Sequence, residues 1–294
     1  MNPLTIEQYL EELRRALSGC DAALIQDALN DAEAHLRGAL VDVADDQRAA
    51  ALPSIMERFG APEEVAAAYR DADARVARVM TPLAGARRES RPWIARFFGV
   101  AIEPRTYGAV LYALLALVTG VFFFSFAVFG LALSLGTAIL IFGIPITLGF
   151  LMAVRAISFV EGRLVEALLG ERMPRRPQTM NPTGSLWHRI GWWLSDGRTW
   201  SSIAYMLLQL PLGVVYFTLM TTLLALSIGL IVAPVTAMIF PVHLELVFFE
   251  LDVGWLGAIP LAFFGGMMLF VTLHLARGIG WLHSRLAKQM LVRV

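Results

Sequence analysis

Charged residues are missing from one long stretch of this 294-residue chain, because no Asp, Glu, Lys or Arg lies between Thr106 and Val154. Two membrane crossings fit in such a stretch, since each needs roughly 20 apolar residues. Charged residues make up only 16% of the whole sequence and hydrophobic residues 57%, which excludes an ordinary soluble domain of this length. The sequence therefore predicts a multi-pass membrane protein.

Other absences narrow the class further. Cys20 is the only cysteine, so no intrachain disulfide or cysteine cluster can form. The start of the chain lacks the basic segment, short apolar run and cleavage site of a secretory signal, and we expect the N-terminus to be retained. Gly-rich phosphate loops, His-Glu-x-x-His and a serine nucleophile elbow are absent. We predict a protein that is not an enzyme, with no catalytic residues and no cofactor.

Ionisable side chains inside membrane spans usually mark a transport path, and the predicted spans contain no Asp, Glu, Lys or Arg. Ion-coupled transport is therefore not expected. We also predict no metal site at His243 and Glu245, because a cation needs three or four ligands. His274 and His283 have no recognised ligand spacing, and we expect both to contact lipid headgroups or helix ends.

The first 80 residues differ from the rest, with 15 acidic against 8 basic side chains. Apolar residues recur at helical spacing in four segments, and a capping arrangement at Thr5 precedes the first of them. Gly60 stops the third segment, and Pro62 opens the fourth with Glu63 and Glu64 in its first turn. Residues 1–80 are predicted to form a small soluble helical domain.

Two motifs of this domain, Tyr9-Leu-Glu-Glu-Leu and Phe59-Gly-Ala-Pro-Glu-Glu-Val-Ala66, resemble the HAAS family of bacterial helical signalling domains. The resemblance implies a cytosolic domain that docks proteins, often PadR-type winged-helix regulators, and it implies no catalysis. The candidate docking residues are those of the second motif: Phe59, Gly60, Pro62, Glu63 and Glu64. The alternative is that this motif is only a good helix-turn-helix junction.

Residues 81–104 form a basic and aromatic linker, with Arg87, Arg88, Arg91 and Arg96 around Trp93. A segment of this kind directly before a span belongs at an anionic membrane surface. We expect no direct nucleic-acid binding, because the cluster is short and lacks a recognition helix.

An internal repeat fills residues 105–294, with copies at about 105–170 and 198–292. The copies open with Arg105-Thr-Tyr and Arg198-Thr-Trp, and each continues to a tyrosine, Tyr112 or Tyr205. Arginines also close both copies, and tryptophans precede the second. These repeat and interface anchors are Arg105, Arg155, Arg163, Arg198, Arg277, Arg285, Trp187, Trp192 and Trp193. Glu103 and Asp196 precede the opening arginines. We expect each of them either to form an ion pair with an arginine of the other copy or to be solvated separately among the headgroups.

Basic residues after position 80 fall only in 87–105, 155–198 and 277–293. The positive-inside rule then predicts four spans with both termini in the cytoplasm, in a bacterial inner membrane. The spans are expected near 106–129, 132–154, 200–228 and 257–276, with the first turn near 130–136. Five spans, with 199–242 read as two, is the alternative. The fold class is all-α: a soluble helical domain and then a polytopic α-helical membrane bundle of two parallel repeats, each with two spans.

The order of the repeat motifs over residues 100–294 resembles the "Putative sensor" domain of bacterial and archaeal membrane proteins. The resemblance implies a four-span module fused to cytosolic signalling domains, and it supplies no ligand. Small residues in the spans permit close packing, within one chain or in a homodimer. The bilayer and a PadR-type regulator or other signalling protein are the expected partners.

The second copy holds 29 more residues between its arginines than the first, and we expect the surplus to lie outside. This insert, about 233–257, mixes apolar with polar side chains, so it is predicted either to sense a ligand or to cap the bundle. Its candidate sensing residues are His243, Glu245, Glu250, Asp252 and Trp255. The leading hypothesis is an inner-membrane sensor that relays an envelope or lipid signal to a cytosolic partner. The alternative is a non-catalytic membrane subunit or scaffold of a transporter or lipid-handling complex.

Overall fold

A computed structural model describes residues 5–41, 43–44, 46–80, 93–137, 143–174, 196–239, 242–246, 249–254 and 256–292. Four helices form the N-terminal domain: α1 (Ile6–Ala16), α2 (Ala22–Ala39), α3 (Arg48–Phe59) and α4 (Pro62–Met80). Their buried faces share one apolar core that includes Leu13, Leu17 and Leu36. The helical domain predicted from the apolar spacing is confirmed.

Capping side chains and one glycine set the ends of these helices. Thr5 accepts a hydrogen bond from the Gln8 amide at 3.2 Å, and Asp21 accepts one from the Ala23 amide at 2.8 Å. Gly60 ends α3 with a φ of 110°, a conformation that favours glycine. The Tyr9 hydroxyl donates to the Gly60 carbonyl at 2.8 Å, which fixes this junction against α1. Burial, with smaller contributions from Glu63 and Glu64, raises the pKa of Tyr9 to about 12.

A short helix, α5 (Trp93–Gly99), and a 3₁₀ turn (Val100–Ile102) precede the long helices. The Thr106 hydroxyl donates to the Val100 carbonyl at 2.8 Å and joins the turn to the next helix. Four long helices follow, interrupted by one hairpin: α6 (Pro104–Gly136), α7 (Gly143–Leu169), α8 (Gly197–Ile239) and α9 (Ile259–Leu291). Each is long and apolar enough to cross a membrane. The described part of the chain is therefore a predominantly helical, multi-pass membrane protein with a helical N-terminal region.

The helix ends differ from the predicted spans. The first turn was expected near 130–136, but α6 continues to Gly136. Gly130 faces the ring of Phe150, where a Cβ would clash, so this glycine serves close helix packing and not a turn. Helix α8 runs unbroken for 43 residues through Pro211 and Pro234, which leaves no turn for the five-span alternative.

The outer insert contains a β-hairpin that the all-α prediction did not include. Strands β1 (Val242–Leu246) and β2 (Phe249–Val253) pair antiparallel, with His243 opposite Asp252 and Glu245 opposite Glu250. The sequence alternates apolar and polar residues along both strands, which is the strand period. We missed this signal because the segment was treated as a connection between spans.

Helices α6 and α8 cross closely at two glycines. A Cβ at Gly120 would clash with the backbone of Gln209, and a Cβ at Gly213 would clash with the backbone of Ala116. The two contacts join matched positions of the two sequence copies, since each glycine lies 15 residues after the opening arginine. The bundle is therefore held by equivalent contacts at this crossing.

Candidate functional site

The interior of the bundle holds a cluster of polar side chains, each at most 1% exposed. All four long helices contribute to it: α6 gives Tyr112, α7 gives Glu161, α8 gives Tyr205 and Gln209, and α9 gives His283. Side chains of these types are rarely buried without a structural or functional reason. We call this group the polar cluster.

Two tyrosine hydroxyls link the glutamate to the histidine. Tyr112 and Tyr205 donate to the same oxygen, Glu161 Oε1, at 2.6 and 2.9 Å. The same hydroxyls lie 2.5 and 2.8 Å from His283 Nε2. The four groups thus form a closed ring of hydrogen-bonding contacts. Each of the four helices contributes two contacts to the ring, so none could leave the bundle here without breaking both of them.

Neighbouring side chains complete the surroundings of the ring. Gln209 Nε2 donates to the Tyr112 hydroxyl at 3.1 Å, and the Tyr216 ring lies edge-on to His283 with centroids 5.7 Å apart. Within the described part of the chain, three buried atoms of the cluster have no hydrogen-bond partner: Glu161 Oε2, Gln209 Oε1 and His283 Nδ1. Buried polar atoms are normally paired, so these three are exceptional.

The polar cluster is built from matched positions of the two copies. Tyr112 and Tyr205 each lie seven residues after an opening arginine, and Glu161 and His283 each lie six after the arginines Arg155 and Arg277. The first pair is identical, whereas the second joins an acid to a base. Sequence reasoning used the tyrosines only as repeat markers and never compared Glu161 with His283, although the alignment contained that signal.

The expectation for His283 was wrong. This side chain is fully buried, because α9 continues past Arg277 and places His283 on the face that contacts the tyrosines. Glu161 likewise lies in one continuous helix with the second span, so the helices are not free of buried ionisable groups. His274 instead contacts a helix end, with Nε2 3.1 Å from the Phe97 carbonyl oxygen and its ring stacked on that of Phe97.

Two ion pairs tie the end of each copy to the beginning of the other. Arg155 pairs with Asp196 at 2.9 Å, and Arg277 pairs with Glu103 at 2.8 Å. Both pairs join matched positions, so the alternative of separate solvation does not hold for Glu103 and Asp196. Side-chain exposure is 22% and 17% in the first pair and 41% and 52% in the second.

The remaining anchors lie around the same end of the bundle. Arg163 pairs with Glu166 one turn along α7, and Arg285 lies 4.1 Å from the centre of the Trp281 ring. Arg198 donates to the Leu291 carbonyl at 3.0 Å, and Arg105 lies beside Gly170. The anchors Trp187, Trp192 and Trp193 lie outside the described residues.

The predicted sensing residues do not meet the polar cluster. Four of them, His243, Glu245, Glu250 and Asp252, alternate along the hairpin, and Trp255 lies outside the described residues. The hairpin follows the far end of α8, 34 residues beyond Tyr205, which is about 50 Å of helix. Among the described residues no group of three or more His, Cys, Asp or Glu side chains is placed to hold a metal ion.

One of the predicted docking residues, Phe59, lines a groove on the N-terminal domain. Phe59 is half-buried, its ring stacked on His35 with centroids 4.7 Å apart. The groove has a volume of about 480 Å³, and its lining residues are Asp31, Ala34, His35, Phe59, Val65, Ala68 and Tyr69. Pro62 is buried at the start of α4, while Glu63 and Glu64 are exposed in its first turn. Only Phe59 of the predicted set lines the groove.

The N-terminal domain also contacts the ends of two membrane helices. The Lys288 ammonium on α9 donates to Asp21 at 2.6 Å and to Glu171, just after α7, at 2.7 Å. Arg172 pairs with Asp73 of α4. We call these three contacts the latch. They connect the helical domain to the two helices that carry Glu161 and His283.

Comparisons with known proteins agree with this division. A family model described as "Putative sensor" matches residues 112–291, and one described as "HAAS" matches residues 8–68. No curated protein and no solved structure matches the chain. The first match runs from Tyr112 past His283, so it includes the whole polar cluster. The fusion expected from the sequence motifs is confirmed.

Proposed function

The chain belongs to the "Putative sensor" family, and from this premise we propose that it relays a state of its membrane bundle to a cytosolic partner. The N-terminal HAAS domain is the output module in this proposal. The orientation follows from charge, since basic residues cluster at the sequence positions assigned to the cytoplasm. Both termini then lie in the cytoplasm, and the membrane is a bacterial inner membrane.

The latch is the observation that carries this proposal. Lys288 lies five residues after His283 on α9, which is about 7.5 Å of helix. It bridges Asp21 of the helical domain and Glu171 at the end of α7. A movement of α9 against α7 therefore changes the distances on which the latch depends. Such a movement would release or hold the N-terminal domain.

The groove beside Phe59 is the proposed docking surface for the partner. Its wall combines apolar groups with Asp31, which accepts a hydrogen bond from the Tyr69 hydroxyl at 2.6 Å. The domain as a whole is acidic, which suits a partner with a basic surface. A PadR-type regulator is the partner class that the HAAS resemblance suggests.

The only cysteine provides a direct test of the latch. Cys20 is partly exposed and precedes Asp21, so its labelling rate with a maleimide reports on this surface of the full-length protein. We expect Lys288→Ala to raise the labelling rate several-fold, because it removes the bridge at Asp21. The matched control is Arg285→Ala on the same helix, whose guanidinium stacks on Trp281.

Equal labelling rates for Lys288→Ala, Arg285→Ala and the unmodified protein would contradict the relay. A second readout is the transcript profile of cells that carry each variant at the native locus. The relay predicts that Lys288→Ala changes this profile and that Arg285→Ala leaves it unchanged.

The outer hairpin is the proposed sensing element. Neutralising its acids with Glu245→Gln, Glu250→Gln and Asp252→Asn should alter signal output while membrane insertion stays normal. The measurement is the same transcript profile, with protein level in the membrane fraction as the control. Unaltered output at normal protein level would contradict a sensing role for these carboxylates.

A further inference from the structure

The ring of Tyr112, Glu161, Tyr205 and His283 has fewer hydrogens than contacts. Each tyrosine hydroxyl carries one hydrogen, and an imidazole Nε2 carries either one hydrogen or a lone pair. Four contacts must therefore share three hydrogens at most. One arrangement serves all four: both hydroxyls donate to Glu161 Oε1, and the Nε2 hydrogen of His283 is shared by the two phenol oxygens. Gln209 donates to Tyr112 as well, which fits a phenol oxygen that acts as an acceptor.

This arrangement leaves Oε1 of Glu161 as an acceptor only and does not involve Oε2. If Oε2 also carries no proton, Glu161 is a carboxylate and its charge needs compensation. In the described part of the chain, the groups that face Glu161 across the ring are Tyr112 from α6, Tyr205, Gln209 and Tyr216 from α8, and His283 from α9, and none of these is a permanent cation. Three nearby arginines on α7 and α9 have other partners. Arg163 pairs with Glu166, Arg277 pairs with Glu103, and Arg285 stacks on Trp281. With His283 neutral, the buried cluster would hold an uncompensated negative charge, which is strongly unfavourable.

One added proton removes this charge, and two atoms are available to take it. Glu161 Oε2 and His283 Nδ1 are both buried and without a hydrogen-bond partner in the described part of the chain. A proton on Oε2 gives a neutral carboxyl beside a neutral imidazole. A proton on Nδ1 gives a carboxylate beside an imidazolium. Either state is neutral overall, and both preserve the contacts of the ring.

We propose that the polar cluster is a proton-binding site shared by the two copies, in which one proton on Glu161 or His283 keeps α7 and α9 packed together. Loss of the proton leaves a buried carboxylate without compensation and favours separation of these helices. Above the ordinary pKa of histidine, about 6.5, the exposed unfolded chain binds no proton on either group, whereas the native cluster binds one, so stability of the bundle falls as pH rises above about 6.5. This proposal concerns the bundle itself and holds whatever the partner of the N-terminal domain is.

The first measurement detects the proton directly in the full-length protein. We would label histidine with ¹⁵N and glutamate side chains with ¹³C, in lipid nanodiscs, and identify the two resonances with His283→Gln and Glu161→Gln. The expected result is a protonated carboxyl at Glu161 or an imidazolium at His283 near neutral pH. An ionised Glu161 beside a neutral His283 in the folded protein would overturn the proposal.

The second measurement follows the thermal unfolding midpoint of the purified protein against pH. We expect the midpoint of the unmodified protein to fall as pH rises above about 6.5, and Glu161→Gln to flatten this dependence because an amide imitates the neutral carboxyl. The matched control, Glu166→Gln, changes an acid five residues away on α7 that pairs with Arg163. It should retain the dependence of the unmodified protein.

A Glu161→Gln protein that folds and keeps the full pH dependence would overturn the proposal. If this variant does not fold, the resonances of the unmodified protein decide the question without it, since Glu161 can then be assigned from the conservative Glu161→Asp. The test of the latch by Cys20 labelling uses neither readout, so the two proposals can fail separately.

Discussion

The two predicted copies make equivalent contacts at the glycine crossing and in the ion pairs of Arg155 and Arg277, but they differ at the position six residues after the inner arginine. The first copy has Glu161 there and the second has His283, and the two side chains meet through Tyr112 and Tyr205. Two identical acids would repel at this distance, as would two protonated histidines. Because one copy supplies an acid and the other a base, a single proton on either residue makes their shared centre neutral, whereas two acids would need two protons.

Making the two copies alike at this position should have the largest effect. Glu161→His gives two bases and His283→Glu gives two acids, and each should cost about 3–5 kcal/mol because it leaves buried charge or unpaired groups. The double exchange, Glu161→His with His283→Glu, restores one acid and one base and should recover most of the loss. Thermal unfolding of the purified proteins measures the difference. A double variant no more stable than the weaker single variant would show that the two positions are not equivalent.

The glycine crossing should show the next largest effect. Gly120→Ala and Gly213→Ala each place a Cβ against a backbone of the facing helix, and we expect each to cost about 1–3 kcal/mol. Gly229→Ala is the control, because a Cβ there meets no atom within 4 Å. It should be neutral or slightly stabilising, since alanine favours helix. Clearly unequal losses of stability for Gly120→Ala and Gly213→Ala would contradict the equivalence of the two contacts.

Removing the hydroxyl of Tyr112 or Tyr205 should have a smaller effect on stability, and the cost should differ between the two copies. Tyr205→Phe removes one hydroxyl from the ring and should cost about 1–2 kcal/mol, because buried acceptors lose a donor. Tyr112→Phe should cost slightly more, since its hydroxyl also accepts from Gln209. A double-mutant cycle with Gln209→Leu measures this extra contribution. No coupling between Tyr112 and Gln209 would contradict the asymmetry.

The ion pairs should give the smallest effect. Arg155→Gln and Arg277→Gln remove equivalent contacts, and each should cost about 1 kcal/mol or less, because the pairs are partly exposed to solvent. The cost should be larger for Arg155, which is the less exposed of the two. Measuring both at low and high salt tests this order, since the more exposed pair should lose more of its contribution in salt.

Much of the fold was predictable, because hydropathy and the residues that begin or end helices act locally. The uncharged stretch between Thr106 and Val154 predicted two spans, and Gly60 with Pro62 predicted the junction between α3 and α4. Helix ends within the membrane were less predictable. Gly130 was taken as part of a turn, although glycine serves equally well where a ring such as Phe150 packs against a helix.

The candidate site was missed for a different reason. Glu161 and His283 follow the arginines that end the predicted spans. From the sequence, His283 is therefore expected to contact headgroups or helix ends, and Glu161 is given no role. Only the fold shows that α7 and α9 continue and bring these residues to Tyr112 and Tyr205. Glu250 and Asp252 alternate with apolar neighbours, which is the period of a strand, so the hairpin could have been predicted from local sequence.

Helix α8 is a single long helix that extends well beyond the polar cluster. Its 43 residues span about 65 Å, roughly twice the apolar thickness of a bilayer. Tyr205 and Gln209 lie near one end and the hairpin follows the other, so one continuous helix joins the buried hydrogen-bond ring to the hairpin. By rigid-rod geometry at the helical rise, a tilt of about 5° displaces the far end by about 6 Å. A small tilt beside the ring therefore becomes a displacement of several ångströms at the hairpin, as long as the helix does not bend at Pro211 or Pro234.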